Sequence, residues 1–297
     1  MNYEMIEMTN QVAVAHWGWT IALFLWLVGL SGMGLFVNMW ARNRLVFLVC
    51  TVAGIAGTLL VVSHLGRMLN LPVAVFYSLI EWKFNFTSWM FIGICLLSVL
   101  CIWTALQAVV MLGFIKCEKF AGLLENDWMY RANGMIGLAA TAYSGFLLTQ
   151  ATGIPLWNTA MVPTIWVVSG FSCALGLVEF LVGIDKIPYS TVPWITKTSN
   201  IADSLEGLAI FAFVLIALGG EHATRAGAEM MVYGDGALMF WGGAVLGAIV
   251  IPVFINLTFA KRSHKANIVG GASAMIGALC LRASVLFAGF YAPILWG

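Results

Sequence analysis

Long apolar runs with very few charged residues dominate this sequence of 297 residues. An α-helix rises about 1.5 Å per residue, so about 20 apolar residues cross the roughly 30 Å hydrocarbon core of a bilayer. Eight runs are close to or above that length, and each predicts a spanning helix: 17–40, 45–66, 87–115, 133–150, 161–183, 201–219, 236–260 and 268–291. The sequence therefore predicts an all-α integral-membrane fold with about eight transmembrane helices.

The low charge content excludes a soluble globular protein. Only 9% of the residues are charged, whereas about 25% is typical of soluble domains. A single polytopic membrane domain over 1–297 accounts for the whole length, and the net charge of +1 does not indicate a nucleic-acid partner. Residues 1–13 lack the basic start of a signal peptide, so we expect no cleaved leader. The amphipathic segment 71–84 is too short to span and predicts an interfacial helix.

The distribution of lysine and arginine in the loops predicts the orientation, because cytoplasmic loops carry the excess of these residues. With eight spans, ten basic residues fall on one side and three on the other. Both termini then face outward, which is the periplasm if the protein lies in a bacterial inner membrane. The ten are Arg42, Arg44, Lys116, Lys119, Arg131, Lys186, Lys197, Lys261, Arg262 and Lys265, and the three are Arg67, Lys83 and Arg225.

A weak internal repeat relates the two halves of the sequence, approximately 14–150 and 155–297. Three residues of the first half recur 140 positions later, and four predicted helices separate the copies. The halves would therefore have the same orientation, as in a parallel repeat of two four-helix bundles. The matched residues are Trp17, Trp26 and Val28 against Trp157, Trp166 and Val168.

The cysteines and histidines do not form a metal-binding pattern. No two cysteines are spaced as CxxC, and iron–sulfur clusters need clustered thiolates. The histidines lie at predicted helix ends or in loops, whereas a membrane b-haem needs paired histidines inside the bundle. We therefore expect neither metal nor haem in this protein. The cysteines are Cys50, Cys95, Cys101, Cys117, Cys173 and Cys280, and the histidines are His16, His64, His222 and His264.

The uncharged stretch Tyr143–Phe171 predicts a helical hairpin. Two apolar runs flank a short loop in which Gly153 and Pro155 favour a turn. We expect this loop to present Trp157 and Asn158 at the membrane interface.

Motifs in and around this hairpin resemble the membrane subunit of polysulfide-reductase-type complexes, the NrfD/PsrC family. YSGFLL, the PLWN loop and VVSGFS carry the resemblance within the hairpin. Three further places agree in order and spacing: HLGR at His64–Arg67 followed by FTSW at Phe86–Trp89, GWTIALFLWLVGLSGMG at Gly18–Gly34, and LRASVLFAG at Leu281–Gly289. The resemblance extends over nearly the whole sequence.

The resemblance implies a quinone-binding subunit of a respiratory complex. Menaquinone or ubiquinone would bind at the outer face. Electrons would pass to a ferredoxin-like iron–sulfur subunit docked at the periplasmic face, and then to a molybdopterin catalytic subunit. Quinone reduction, the reverse direction, is equally compatible with the residues present.

Candidate quinone ligands lie near the predicted outer ends of the helices. A quinone site needs an apolar cleft and hydrogen-bonding groups for the ring oxygens, and imidazole titrates near neutral pH. The alternative for His64 and Arg67 is a solvated helix end. Family resemblance places a tyrosine of the fourth core helix at the quinone, which favours Tyr143. The full candidate set is Tyr143, His64, Arg67, Asn158, Trp17 and His16.

The first core helix departs from the family pattern. The resemblance implies polar side chains there, but the matching positions are Ile21 and Phe24, which cannot hydrogen-bond. His16 or His64 would then have to supply that group.

Ionisable residues within predicted spans form a second candidate set, because such groups are costly in a bilayer and are usually functional. Glu179 lies near a cytoplasmic helix end, and Asp203 and Glu206 lie three residues apart at the expected start of the sixth helix. They suggest a proton entry from the cytoplasm, although carboxylates at a helix N-terminus also complement the helix dipole. Arg282 lies past the midplane and requires a carboxylate, carbonyl or water partner.

Two other functions remain open at this stage. Interior carboxylates, an intramembrane arginine and a possible repeat would also suit an ion- or proton-translocating transporter. Against a transporter, no helix is clearly interrupted within the membrane, although Pro252 could kink the seventh. A passive membrane anchor without a quinone site is the other alternative.

Overall fold

The computed structural model describes residues 15, 17–64, 70–82, 84–115, 122, 124, 126–259 and 263–292. These residues are almost entirely helical, so the predicted all-α class is confirmed. The helices are α1 Trp19–Ala41, α2 Arg44–Ser63, α3 Asn70–Ile80, α4 Trp89–Met111, α5 Asp127–Thr149, α6 Met161–Gly183, α7 Ile195–Leu218, α8 His222–Val232, α9 Leu238–Thr258 and α10 His264–Phe287. Of the residues singled out in the sequence, those outside the described part are His16, Arg67, Lys83, Lys116, Cys117, Lys119, Lys261 and Arg262.

Seven described helices are long and apolar enough to cross a membrane. They are α1, α2, α4, α6, α7, α9 and α10. The remaining long helix, α5, also has 23 residues and packs against α1, α4 and α6. Its mean hydropathy is lower because polar residues such as Asp127, Arg131 and Asn133 occupy its first two turns. We treat α5 as the eighth spanning helix on the basis of its length and central packing.

The long helices form two groups of four. In the first, α1 packs on α2 and α5, and α4 packs on α2 and α5. In the second, α6 packs on α7 and α10, and α9 packs on α10 and α7. Contacts of α1 and α5 with α6, and of α1 with α10, join the groups. This grouping coincides with the two predicted halves, while the sequence repeat itself stays a prediction.

Glycines allow the central helices to approach each other closely. A Cβ on Gly32 of α1 would collide with the carbonyl of Gly137 on α5. A Cβ on Gly271 of α10 would collide with the carbonyl of Gly176 and lie 2.6 Å from the backbone nitrogen of Phe180, both on α6. Small residues at helix contacts are a main source of packing in membranes, so these two crossings hold the bundle together.

Polar side-chain contacts join helix ends on the side with the larger number of basic residues. Arg42 follows α1 and pairs with Asp127 of α5 at 2.9 Å. Asp185 follows α6 and pairs with His264 of α10 at 3.0 Å. We call this side the inner end and the opposite side the outer end, which the basic-residue distribution predicts to be periplasmic.

The PLWN loop folds inward at the outer end, which corrects the expectation that it presents Trp157 at the interface. Trp157 is completely buried, and its Nε1 donates to the carbonyl of Val285 at 2.8 Å. The Trp17 ring packs on it at a centroid distance of 5.0 Å. The hydrogen bond to α10 satisfies the buried indole N–H, so Trp157 fixes the loop to the bundle. Asn158 remains exposed.

Two helices begin earlier than the apolar runs predict. The run at 133–150 belongs to a helix that starts at Asp127, and the run at 201–219 belongs to one that starts at Ile195. Asp203 and Glu206 therefore do not open α7 but lie two to three turns inside it. At that depth the dipole of the helix terminus no longer explains them, since the effect is confined to the first turn.

The segment predicted to lie at the interface forms a short helix, and its interfacial position stays a prediction. Helix α3 has 11 residues, about 17 Å at 1.5 Å per residue, and Phe76, Tyr77 and Trp82 are exposed. Helix α9 is π-helical over its first 13 residues and regular from Ile251, next to Pro252. A proline lacks the N–H that would bond to the preceding turn, so one backbone bond is missing where the π-helical and regular parts meet.

Candidate functional site

A cleft of about 170 Å³ lies between α2, α4 and α5 in the outer half of the first bundle. Its walls are almost wholly apolar. Met90 and Ser98 on α4 are exposed on the side of the cleft that would face lipid. The lining residues are Thr58, Val61, Val62, Met90, Ile94, Leu97, Ser98, Tyr143 and Leu147.

Tyr143 is the member of the predicted quinone set that lines this cleft. It lies six residues before the end of α5, about 9 Å from the outer end. Its side chain is buried, and its hydroxyl has no hydrogen-bond partner among the described residues. A buried tyrosine hydroxyl usually finds a partner, so this hydroxyl is available to a ligand.

Gly93 of α4 makes room for the Tyr143 ring. A Cβ at this position would overlap the phenol oxygen and Cζ. The phenol therefore lies directly against the α4 backbone, and its position depends on the missing side chain. Nearby, the Trp89 and Phe146 rings stack at 4.8 Å and 17°, which joins α4 and α5 at the outer end of the cleft.

Two hydroxyl groups besides Tyr143 line the cleft. Thr58 Oγ1 lies 3.2 Å from Cys101 Sγ, and the thiol in turn contacts the carbonyl of Gly54 at 3.6 Å. Ser98 makes no hydrogen bond with any described residue. The cleft thus combines long apolar walls with hydroxyl groups at separate points.

Three other members of the predicted quinone set do not line the cleft. His64 is the exposed residue that follows α2. Trp17 packs on Trp157 of the PLWN loop, and Asn158 is exposed on that loop. The predictions for His16 and Arg67 fall outside the described residues.

A buried polar cluster lies in the second bundle between α6 and α7. Asp203 is 0% and Glu206 1% exposed. Ser169 and Ser172 of α6 face the carboxyl group of Glu206, and Ser172 also faces that of Asp203. Each helix contributes two residues spaced by three, which places them on one face.

Several oxygen atoms in this cluster lack a partner with hydrogen-bond geometry among the described residues. They are Ser172 Oγ, Asp203 Oδ1 and both carboxyl oxygens of Glu206. The remaining Asp203 oxygen accepts a long bond of 3.4 Å from Ser199. Buried polar atoms normally have a protein or water partner, so this region is suited to hold water or protons.

Glu179 extends the cluster toward the inner end. It lies four residues before the end of α6, about 6 Å from that end. Asn256 of α9 donates to its carboxyl oxygen at 2.9 Å. Glu206 lies 11 residues into α7, about 17 Å along the axis. The carboxyl groups therefore cover much of the inner half of the bundle.

Arg282 lies at the outer limit of this cluster, and its partners are carbonyl and hydroxyl oxygens. Its guanidinium group donates to the carbonyls of Leu25 at 3.2 Å, Ala278 at 2.9 Å and Trp166 at 3.3 Å, and to Ser169 Oγ at 3.2 Å. Its Cζ lies 5.6 Å from the centroid of the Trp166 ring. Arg282 thus joins α1, α6 and α10 through a fixed set of bonds.

Sequence reasoning missed Gly93, Ser98 and the α6 serines. Ser169 and Ser172 lie within VVSGFS at helical spacing, a signal that could have placed them opposite a polar helix face. Gly93 and Ser98 had no such signal, because single small residues are common in spanning helices. Within the described part of the protein, no group of three or more histidine, cysteine, aspartate and glutamate side chains is arranged to hold a metal ion.

The sequence is similar to a family model and to individual known proteins. The family model described as "Polysulphide reductase, NrfD" matches residues 4–293. Protein NrfD of Escherichia coli (strain K12) is 26% identical over 302 residues, covering 92% of this sequence and 94% of that protein. The C subunit of the polysulfide reductase of Wolinella succinogenes is 27% identical over 326 residues, covering 96% of each sequence. The Haemophilus influenzae NrfD homolog is 26% identical over 306 residues, covering 92% of this sequence and 94% of that protein.

The match to the family model extends over nearly the whole length, and the fold is an all-helical bundle of membrane-spanning helices. The resemblance inferred from motifs at four places in the sequence is confirmed. The protein is a multi-pass membrane protein that belongs to the polysulphide reductase NrfD family.

Proposed function

We propose that the protein is the quinone-binding membrane subunit of a respiratory oxidoreductase, with the ring in the α2–α4–α5 cleft. The observation that carries this is the Tyr143 hydroxyl, which is free among the described residues and lies in an apolar cleft. Apolar walls suit the isoprenoid tail of menaquinone or ubiquinone, and the hydroxyl can hydrogen-bond a ring oxygen. Ligand sites of this kind combine apolar lining with a few polar groups.

Electrons would be exchanged with subunits outside the membrane. One relative is named as the C subunit of a polysulfide reductase, which fits a protein that works beside others. We expect a ferredoxin-like iron–sulfur subunit at the periplasmic face and a molybdopterin subunit beyond it. Purification of the intact complex should yield iron and molybdenum in fixed proportion to this subunit, whereas purification of the protein without such partners would contradict the proposal.

The test of the quinone site is Tyr143→Phe in the assembled complex. The substitution removes the hydroxyl but keeps the ring against Gly93. One hydrogen bond contributes about 0.5–1.5 kcal/mol, so the KM for quinol should rise roughly 2- to 12-fold. Turnover with an artificial dye donor that bypasses this subunit should stay unchanged. Wild-type quinol kinetics in Tyr143→Phe would show that the ring binds elsewhere.

The buried carboxyl groups favour a second role, proton uptake from the inner side. Glu179, Asp203 and Glu206 cover the inner half of α6 and α7, and oxygen atoms among them lack partners within the described residues. Intramembrane carboxyl groups of this kind mark proton relays. In this pathway Arg282 would hold the outer end closed.

The proton role is tested with Glu206→Gln in liposome-reconstituted complex, with lumenal pH followed during quinol turnover. Fewer protons should move per electron, while the KM for quinol stays unchanged because the cleft lies in the other bundle. Glu229→Gln, in the exposed α8 pair with Arg225, is the control. An unchanged proton-to-electron ratio in Glu206→Gln would refute the pathway and leave the quinone site intact.

A further inference from the structure

We propose that Ser98 holds the second ring oxygen of the quinone, so that the ring lies between Ser98 of α4 and Tyr143 of α5. This rests on the proposed quinone site and adds a binding residue to it. The Ser98 assignment depends on the lack of a partner for the Ser98 hydroxyl among the described residues, on its place in the cleft lining and on the existing contact of Thr58, the other hydroxyl residue in the cleft.

Ten described hydroxyl residues in the spanning helices bond back to their own helix, whereas Ser31, Ser172 and Ser284 are buried without a partner among the described residues. Such bonds satisfy a polar group that would otherwise lie in hydrocarbon. Ser98 makes no such bond among the described residues, although it lies near the middle of α4 and is exposed. Its free hydroxyl points to a ligand. The residues that do bond back are Thr51, Ser63, Thr104, Thr141, Ser144, Thr149, Thr164, Ser204, Thr258 and Ser273.

Ser98 lies deeper in the cleft than the Tyr143 phenol. The phenol lies against Gly93, and Ser98 is five residues further along the same helix, about 7.5 Å along its axis. Both residues line the same cleft, so a single ligand in the cleft can contact both.

Thr58 is the other hydroxyl residue of the cleft, but it already has a partner. Its Oγ1 lies 3.2 Å from Cys101 Sγ. His64, the sequence-based candidate for this role, lies after the end of α2 and outside the cleft lining. Ser98 is therefore the lining side chain that can meet the second ring oxygen without breaking an existing contact.

The direct test is the infrared carbonyl spectrum of a short-chain menaquinone, ¹³C-labelled at one carbonyl, bound to the intact complex. A hydrogen bond lowers the stretching frequency of the carbonyl that accepts it. Ser98→Ala should return one carbonyl band to higher frequency and leave the other in place, and Tyr143→Phe should affect the other band. Ser98→Thr keeps the hydroxyl and should keep both bands lowered.

The kinetic test uses a matched serine. Ser98→Ala should raise the quinol KM roughly 2- to 12-fold, with dye-driven turnover unchanged. Ser204→Ala is the control, because Ser204 is also exposed on a spanning helix but donates to the carbonyl of Asn200 at 2.7 Å. It should leave the quinol KM unchanged.

The outcomes separate this inference from the proposed function. If Tyr143→Phe alters the carbonyl bands and the quinol KM while Ser98→Ala keeps both at wild-type values, the Ser98 assignment is refuted and the quinone site is retained. Wild-type carbonyl bands and quinol KM in both variants would show that the quinone does not bind in this cleft. A raised KM in Ser98→Ala with both carbonyl bands unmoved would also overturn the assignment, because the effect would then come from packing.

Discussion

At the scale of single residues, the position of Tyr143 depends on the absence of a side chain at Gly93. Motif resemblance was enough to select Tyr143, because the YSGFLL segment lies on a recognisable hairpin. It could not select Gly93 or Ser98, since their importance comes from contacts between helices that are distant in sequence. His64 was a reasonable candidate from its place at a helix end, but it is not among the residues that line the cleft.

Gly93→Ala should displace the Tyr143 phenol. The added Cβ would overlap the phenol oxygen, so the ring must move or α4 and α5 must separate. We expect a higher quinol KM. In a Tyr143→Ala background, Gly93→Ala should have little further effect, because the clash is gone. Gly207→Ala on α7 is the control, since its Cβ would meet Ile249 at an ordinary 3.5 Å. A large effect of Gly93→Ala in the Tyr143→Ala background would indicate a general packing role instead.

Arg282→Met should destabilise the protein strongly. The substitution removes hydrogen bonds to three carbonyls and Ser169, and hydrogen bonds that involve a charged group contribute about 1.5–3 kcal/mol each. We expect a loss of at least about 2 kcal/mol, measured as a lower thermal midpoint in detergent. Arg225→Met removes an exposed pair with Glu229, which contributes about 0.3–0.5 kcal/mol. Equal midpoints for the two variants would contradict this ranking.

At the scale of helices, the apolar runs located the spanning segments, but the ends of α5 and α7 lay outside them. Hydropathy registers only the part of a helix that lies in hydrocarbon. Asp127 and Lys197 belong to first turns that extend beyond it. This difference changed the interpretation of Asp203 and Glu206, which are interior residues rather than residues of a helix terminus.

The crossing of α6 and α10 should be intolerant of a single added methyl group. A Cβ on Gly271 would lie 2.6 Å from the backbone nitrogen of Phe180, and backbone cannot give way as a side chain can. Gly271→Ala should therefore reduce assembly of the complex, measured by blue-native electrophoresis. Gly242→Ala on α9, where the nearest atom is a leucine methyl at 3.8 Å, should assemble normally. Normal assembly of Gly271→Ala would show that the crossing can relax.

At the scale of the whole molecule, two four-helix groups separate the two candidate sites. The α2–α4–α5 cleft belongs to the first group and the carboxyl cluster to the second, with α1 and α6 at the junction. The two halves were a prediction from three residues that recur 140 positions later in the sequence. The separation of the sites could not be predicted in this way, because it depends on which face of each helix turns inward.

The orientation of the whole molecule can be tested with reporter fusions. The ten-to-three distribution of basic loop residues predicts that both termini are periplasmic. Alkaline phosphatase fused at the C-terminus should be active, since it folds only outside the cytoplasm. A fluorescent protein that matures only in the cytoplasm should remain dark at the same site. The opposite pair of results would invert the topology.

The cleft between α2, α4 and α5 opens sideways, so the relevant concentration of its ligand is the concentration in the membrane. A molecule that enters there comes from the acyl-chain layer, so its activity is set by its mole fraction among lipids rather than by its concentration in buffer. Adding empty lipid at constant total quinol should slow turnover by surface dilution. The potency of inhibitors should likewise follow the product of their membrane partition coefficient and their intrinsic affinity. A potency measured in one membrane will therefore differ from that in a membrane with another lipid content.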